Sequence, residues 1–210
     1  GDLVGFDYDG NKLWSRNIEA EYGNLALQFG YSCSPLLYDN KLYIIVIRRN
    51  KPYRKPDAEE SLDSFIMAIN PETGKNIWKQ QRKTDAFDEG METYSTPVPF
   101  VRDGRTEILN TGADFVTSHD PDTGKELWRF DPFEGGYAMF GMGVNRGLAS
   151  WSDGTDRRIL FGTASYVSAV DAQTGTLISD FGDGGRIDLH QGLGRDVSDY
   201  FIAANTPGIV

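Results

Sequence analysis

A turn followed by a tryptophan recurs along this 210-residue chain, and the recurrence constrains the fold more than any single residue does. "INPETGKNIW" at residues 69–78 returns as "SHDPDTGKELW" at 118–128, with a looser copy near each end. The turn glycines are Gly10, Gly74, Gly124 and Gly175, separated by 64, 50 and 51 residues. An apolar or alternating run precedes each turn and another follows it, as in "VGFDYDGNKLW" and "VSAVDAQTGTLI". That is the pattern of a β-hairpin whose Asp, Asn, Pro and Gly residues supply the turn. Upstream of three of these hairpins lies a second pair of runs, "SPLLYDNKLYIIVI", "TPVPFVRDGRTEILNTG" and "GLASWSDGTDRRILFGT", each broken by a polar turn.

A unit of about 50 residues therefore holds four strands, which is the size and content of a propeller blade, and no helical period interrupts it. The expected fold is all-β: a β-propeller of four-stranded antiparallel blades, about four of them, forming a partial or incomplete ring. A single propeller segment spans 1–210, with a blade hairpin at 1–16, blades at about 31–80, 93–130 and 143–181, and the start of a further blade at 203–210. "NTPGIV" in that last stretch matches the first-strand openings Ser34-Pro35 and Thr96-Pro97. Because an open arc would expose sheet edges, the preferred reading is a fragment of a larger propeller. A half that closes by dimerisation and an unusually small ring are the alternatives. Trp14, Trp78 and Trp128 each stand four residues after a turn glycine, which puts the same large ring in the same layer of each blade, where adjacent blades pack. Ser179 breaks the series, and Phe181 is expected to take the tryptophan's face of the strand. The longer first interval is taken up by residues 48–64, "RRNKPYRKPDAEESLDS", read as a long exposed loop.

Charge narrows the partners. Twenty-one basic residues against 31 acidic ones give a net charge of -10, which argues against nucleic acid, where basic contacts to the backbone dominate. No stretch approaches the roughly 20 apolar residues of a membrane span, and "GDLVGFDYDG" lacks the regions of a signal peptide. The lone Cys33 rules out an intrachain disulfide and a cysteine-rich zinc site, yet it fits any compartment.

Turns of the form D-x-x-T-G-x-x-x-W at this spacing resemble the tryptophan-docking repeats of the quinoprotein, or PQQ-like, propellers, over essentially the whole chain. Similar repeats occur in non-catalytic scaffold propellers, and residues 1–130 look more like those. Residues 143–189, with "GVNRGLASW", "RRILFGTASYVSAVDAQTG" and "DFGDGGRIDL", resemble PQQ-dependent alcohol and glucose dehydrogenases. The resemblance implies that Arg146 reaches the carboxylates of the quinone; a guanidinium fork can hold one bidentately, as a lysine cannot. Thr206 lies near where the family places a cofactor-bonding threonine. Many members carry adjacent cysteines a few residues before that arginine, whereas here "YAMFGMGVNRG" offers Phe140 or Met142 as an apolar face. The family's calcium carboxylates and catalytic aspartate lie in later blades and have no match here, so no catalytic or metal residue is assigned. In the family the arginine follows the first blade, while here two further repeats precede it. The resemblance implies PQQ and calcium as cofactors, oxidation of a small alcohol or sugar, and a periplasmic or extracellular setting. A non-catalytic propeller scaffold, self-associating or bound to protein partners, is the alternative function.

Other motifs carry less. The glycines of "GMGVNRG" at 141, 143 and 147 miss the dinucleotide-binding spacing by one residue. "DYDGN" and "DPDTGKE" lack the terminal glutamate of a calcium loop, and Asp side chains bonding their own backbone explain them. His119 and His190 stand 71 residues apart, and His119 reads as a structural residue at a strand end. "GYSCS" is not a nucleophile elbow, and Cys33 reads as a small buried hydrophobe.

Overall fold

A computed structural model describes every residue except 56, 87, 113, 134–145 and 210. Phe140, Met142, the glycines at 141 and 143 and the boundaries placed at 143 and 210 therefore lie outside the described residues. The strands are β1 (Asp2–Phe6), β2 (Lys12–Asn17), β3 (Leu36–Tyr38), β4 (Lys41–Val46), β5 (Ser64–Ile69), β6 (Asn76–Arg82), β7 (Val98–Arg102), β8 (Arg105–Thr111), β9 (Val116–His119), β10 (Glu126–Phe130), β11 (Ala149–Ser152), β12 (Arg157–Thr163), β13 (Tyr166–Asp171) and β14 (Arg186–Asp188). They form one two-stranded sheet, β1-β2, and three four-stranded sheets, β3-β4-β5-β6, β7-β8-β9-β10 and β11-β12-β13-β14, all pairing antiparallel in chain order. The result is an all-β propeller arc with no closed ring.

Apolar residues gather between sheets rather than within them. β5 is buried along its whole length because both of its faces are covered. Phe65, Met67 and Ile69 join Ile18, Ile44 and Val46 with Leu3 of β1, while Ile66 and Ala68 join Tyr43, Ile45, Trp78 and Ile108 of β8. β8 is shared in the same way: its next residue, Leu109, faces Val116, Trp128, Ile159 and Phe161. Since alternate side chains of a strand point to opposite faces, each central strand welds its sheet to both neighbours.

The turn tryptophans perform that welding in a specific way. The Trp14 ring lies on Gly74, Trp78 on Gly124 and Trp128 on Gly175, so close that a Cβ on those glycines would stand 2.6, 2.4 and 2.5 Å from ring carbons. Each ring thus docks on the next repeat's turn. Glycine is required there twice over, since Gly74, Gly124 and Gly175 also adopt φ of 70, 73 and 70°. Trp14 and Trp78 donate their indole N–H to the carbonyls of Pro71 and Pro121, at 2.7 and 3.0 Å. Where the third turn carries Ala172 in place of proline, Trp128 donates instead to the Glu107 carboxylate at 3.3 Å.

Three features differ from expectation. Phe181 does not take the tryptophan's place: it sits in a turn, its N–H bonded to the Ile178 carbonyl, and Gly182, Gly184 and Gly185 at positive φ bend the chain away. The fourth strand of that sheet is consequently β14, beyond residue 181, pairing Tyr166 with Asp188. A one-turn helix, α1 (Ile18–Tyr22), follows β2, with Asn17 Oδ1 capping the Ala20 N–H at 2.7 Å. The loop between β4 and β5 is anchored, not wholly exposed. Arg48 is buried, and its guanidinium donates to the carbonyls of Tyr22, Gly23, Asn24 and Asp63 at 2.6–3.1 Å, capturing orphan acceptors at the end of α1.

Candidate functional site

The lead-ins to β3 and β7 meet each other, and the lead-in to β11 meets residue 205. Cys33 Sγ lies 3.3 Å from the Thr93 carbonyl, the Ser34 N–H donates to Thr96 Oγ1 at 3.2 Å, and the Arg146 N–H donates to the Asn205 carbonyl at 3.1 Å. Counting back from β3, β7 and β11, Arg146 holds the position of Cys33 and Ser95. By the Ser-Pro and Thr-Pro pattern, Asn205 and Thr206 take the same positions in the last segment. Ser34 with Thr96 and Arg146 with Asn205 are like positions in contact.

Among these residues Cys33 and Ser95 are buried, whereas Arg146 and Thr206 are exposed. The Arg146 guanidinium and the Thr206 hydroxyl have no partner among the described residues, although the two backbones are held together through Asn205. A long, charged side chain at a position filled elsewhere by small buried ones carries its five donors clear of the packing. An oxygen-rich anion could be met here by a fork and a hydroxyl. PQQ, a tricarboxylic quinone, fits that donor set. Calcium does not, because no group of three or more His, Cys, Asp or Glu residues among the described residues could hold a metal.

A second polar cluster lies near the same layer and has no local signal in the sequence. Glu92 is fully buried; it accepts Arg49 Nε at 2.6 Å, the Gln28 N–H at 3.2 Å and the Tyr94 hydroxyl at 3.0 Å. Burial, with Glu92 and Glu89 nearby, raises the Tyr94 pKa, so its hydroxyl stays a donor. Arg49 also donates to Gln28 Oε1 at 2.9 Å and stacks on the Tyr53 ring at 4.7 Å. Its partner Glu92 is 43 residues away in sequence, a separation no short motif could reveal. This cluster fixes the 24–30 loop and the insertion to the start of the next sheet.

The remaining motifs are accounted for by packing. His119 is buried, its Nδ1 3.0 Å from the Gly124 carbonyl and its Nε2 3.1 Å from Thr117 Oγ1; burial lowers its pKa. Cys33 is buried and its thiol is pushed up to about 12, away from the thiolate a nucleophile needs. Asp120 Oδ1 accepts the N–H groups of Asp122 and Thr123, and Asp7 Oδ1 those of Asp9 and Asn11, so these carboxylates brace their own turns. His190 bonds Asp188 and the Tyr200 carbonyl. No helix among the described residues is long and apolar enough to cross a membrane.

Comparison with known proteins gives a consistent picture. A quinohemoprotein alcohol dehydrogenase of Pseudomonas putida, ADH IIB, is 39% identical over 85 residues, covering 38% of this chain and 12% of that protein. The glycerol dehydrogenase large subunit of Gluconobacter oxydans is 35% identical over 99 residues, 43% of this chain and 13% of that one. The chain spans only these small shares of the curated relatives it matches. The solved quinohemoprotein alcohol dehydrogenase ADHIIG of Pseudomonas putida superposes with a TM-score of 0.50 at 19% identity over 80% of this chain and 29% of that one, a likeness of fold. A family profile, glucose/ethanol/alcohol dehydrogenase, beta-propeller domain, matches residues 88–210. It starts just ahead of β7, so within the matched part a single four-stranded sheet precedes Arg146. With more than half of its length matched by that profile, the chain belongs to the PQQ family of glucose/ethanol/alcohol dehydrogenase β-propeller domains.

Proposed function

We propose that this chain supplies part of the cofactor-facing edge of a quinoprotein dehydrogenase propeller. Arg146 would hold a quinone carboxylate and Thr206 would bond an adjacent oxygen. The observation that supports this reading is the Arg146 N–H to Asn205 carbonyl bond, which sets both exposed side chains on one edge of the arc. When bound, the quinone would supply a two-electron acceptor for oxidation of an alcohol or sugar. The chain's own part is orientation: a planar fork fixes the direction of a carboxylate as well as its charge. A periplasmic or extracellular setting, and calcium ligands and a catalytic aspartate contributed from outside the described residues, belong to the same reading.

Titration of the purified chain with PQQ, with and without calcium, tests it through cofactor absorbance and fluorescence. Stoichiometric binding is expected, and Arg146→Ala should weaken it about tenfold or more, the effect of losing a charge-assisted hydrogen bond. Absence of binding at high micromolar PQQ would remove the cofactor role.

A second reading, a non-catalytic scaffold that binds protein, draws on a different observation. Leu13, Ile77 and Leu127, each just before a docking tryptophan, are 51, 44 and 40% exposed, an aliphatic side chain repeated on three successive outer strands. Beside the insertion, a groove of about 890 Å3 is lined by Phe29, Tyr53, Arg54 and Lys55. Retention of a partner by Leu13→Asp, Ile77→Asp and Leu127→Asp variants would count against this surface.

A further inference from the structure

Residues 200–207 run back over the β11–β14 sheet. Gly162 and Gly147 leave room for them: a Cβ on Gly162 would stand 2.2 Å from the Ala204 carbonyl oxygen, and one on Gly147 would stand 3.1 Å from the Pro207 ring. The Arg146 N–H reaches the Asn205 carbonyl. At the other end, His190 Nε2 is 2.9 Å from the Tyr200 carbonyl oxygen.

The His190 ring faces an acceptor on each side. Its Nδ1 is 2.7 Å from Asp188 Oδ1, which also accepts the His190 backbone N–H at 2.9 Å. A neutral imidazole carries one N–H, so only the imidazolium donates to Asp188 and Tyr200 together. On deprotonation the remaining proton stays with the carboxylate, the stronger charge-assisted acceptor. The Tyr200 carbonyl then meets a lone pair instead of a donor.

We propose that His190 is a pH-governed positioning residue: as the imidazolium it fastens residues 200–207 to the sheet and so sets Asn205 and Thr206 beside Arg146, and as the neutral ring it lets the Tyr200 end go. Its consequence for the quinone rests on the proposed function above; the tether itself does not. Asp188 is the charged group acting on the ring, and the opposing segment offers a neutral carbonyl. Asp183 and Arg186 line the groove beside Asp188, and Arg195, Asp196 and Asp199 flank the opposing turn, where Asp196 is bonded to Ser198. The hydrogen bond from Asp188 raises the His190 pKa above the ordinary 6.5, with the Tyr200 carbonyl adding to it. The tether is therefore complete below pH 6.5 and is lost as pH rises through the raised value.

Amide hydrogen exchange of the full chain between pH 5.5 and 8.5, expressed as protection factors, with NMR titration of the His190 ring, tests the tether. Protection of the Arg146 amide, which donates to the Asn205 carbonyl, is expected to fall about tenfold on the midpoint of the His190 titration, the effect of one hydrogen bond to a charged group. His190→Gln should give a flat profile. An Arg146 amide equally protected at both ends of the range, a pH profile retained by His190→Gln, or a His190 midpoint below 6.5 would each overturn the proposal. PQQ titration separates the two readings. Exchange that follows His190 without quinone binding leaves the tether standing and removes the cofactor reading. Exchange that does not follow His190 removes the tether, whatever the quinone does.

Discussion

The joint between the β3–β6 and β7–β10 sheets and the attachment of residues 196–207 to the β11–β14 sheet solve one problem with different chemistry. At the first, Trp78 lies flat on Gly124, closes over Tyr43 and Ile108, and leaves 8% of its surface exposed. At the second there is no tryptophan: Ser179 is exposed, and the following chain is held by the buried Val197, the His190 bonds and the Arg146–Asn205 bond. Apolar docking is insensitive to pH and costly to break, while polar tethers in partly exposed positions are weak and titratable. The difference makes one part of the arc a rigid frame and the other adjustable, and the adjustable part carries Thr206.

Trp78→Ala should break the comparison most severely. It removes a buried indole from between two sheets and is expected to cost about 3–5 kcal/mol, measured as a shift in urea midpoint. Gly124→Ala follows, at roughly 2–4 kcal/mol, because the new methyl meets the Trp78 ring at a φ that L-residues avoid. Gly10→Ala is its control. Gly10 has φ 84° but nothing within 4 Å of its absent Cβ, so only the backbone cost of about 1 kcal/mol is expected. Equal losses at the two positions would show that conformation, not docking, selects these glycines.

The two histidines sharpen the comparison by titrating in opposite senses. His119, in the rigid part, is buried with its pKa lowered, so it stabilises the fold above 6.5 and that contribution is lost as pH falls from there towards the lowered value. His190, in the adjustable part, has its pKa raised, so its contribution is full below 6.5 and fades as pH rises through the raised value. Urea unfolding from pH 5 to 8.5 should lose its acid-side slope in His119→Asn and its alkaline-side slope in His190→Gln. The smallest effect belongs to Arg146→Ala. Its exposed side chain makes no hydrogen bond or ion pair with the described residues, so stability should stay within about 0.5 kcal/mol while quinone binding weakens. A large loss of stability there would make Arg146 a packing residue.

The sheets were legible in the sequence because period-two runs and Gly-Asp-Asn turns are local signals. The role of the tryptophans was legible as packing, but their target was not: that Trp14 meets Gly74, 60 residues on, is a property of sheet stacking. Phe181 misled because three positive-φ glycines within the next four residues override the strand pattern. Of the candidate site, Arg146 and Thr206 are named by family resemblance alone, and nothing local indicates that they lie near each other. Arg49 and Glu92 went unseen, because a buried ion pair has no sequence period.

By itself, then, the sequence determined the repeating hairpins, the place of a glycine at each turn and of a tryptophan four residues later, since backbone sterics and side-chain alternation act within a few residues. Only the tertiary structure decided which glycine each ring covers, which segments converge on the Arg146 edge, and that both nitrogens of His190 face acceptors. Those outcomes depend on which sheets stack against which, and stacking is set by the sum of buried apolar area across distant segments, a quantity no local stretch of residues contains.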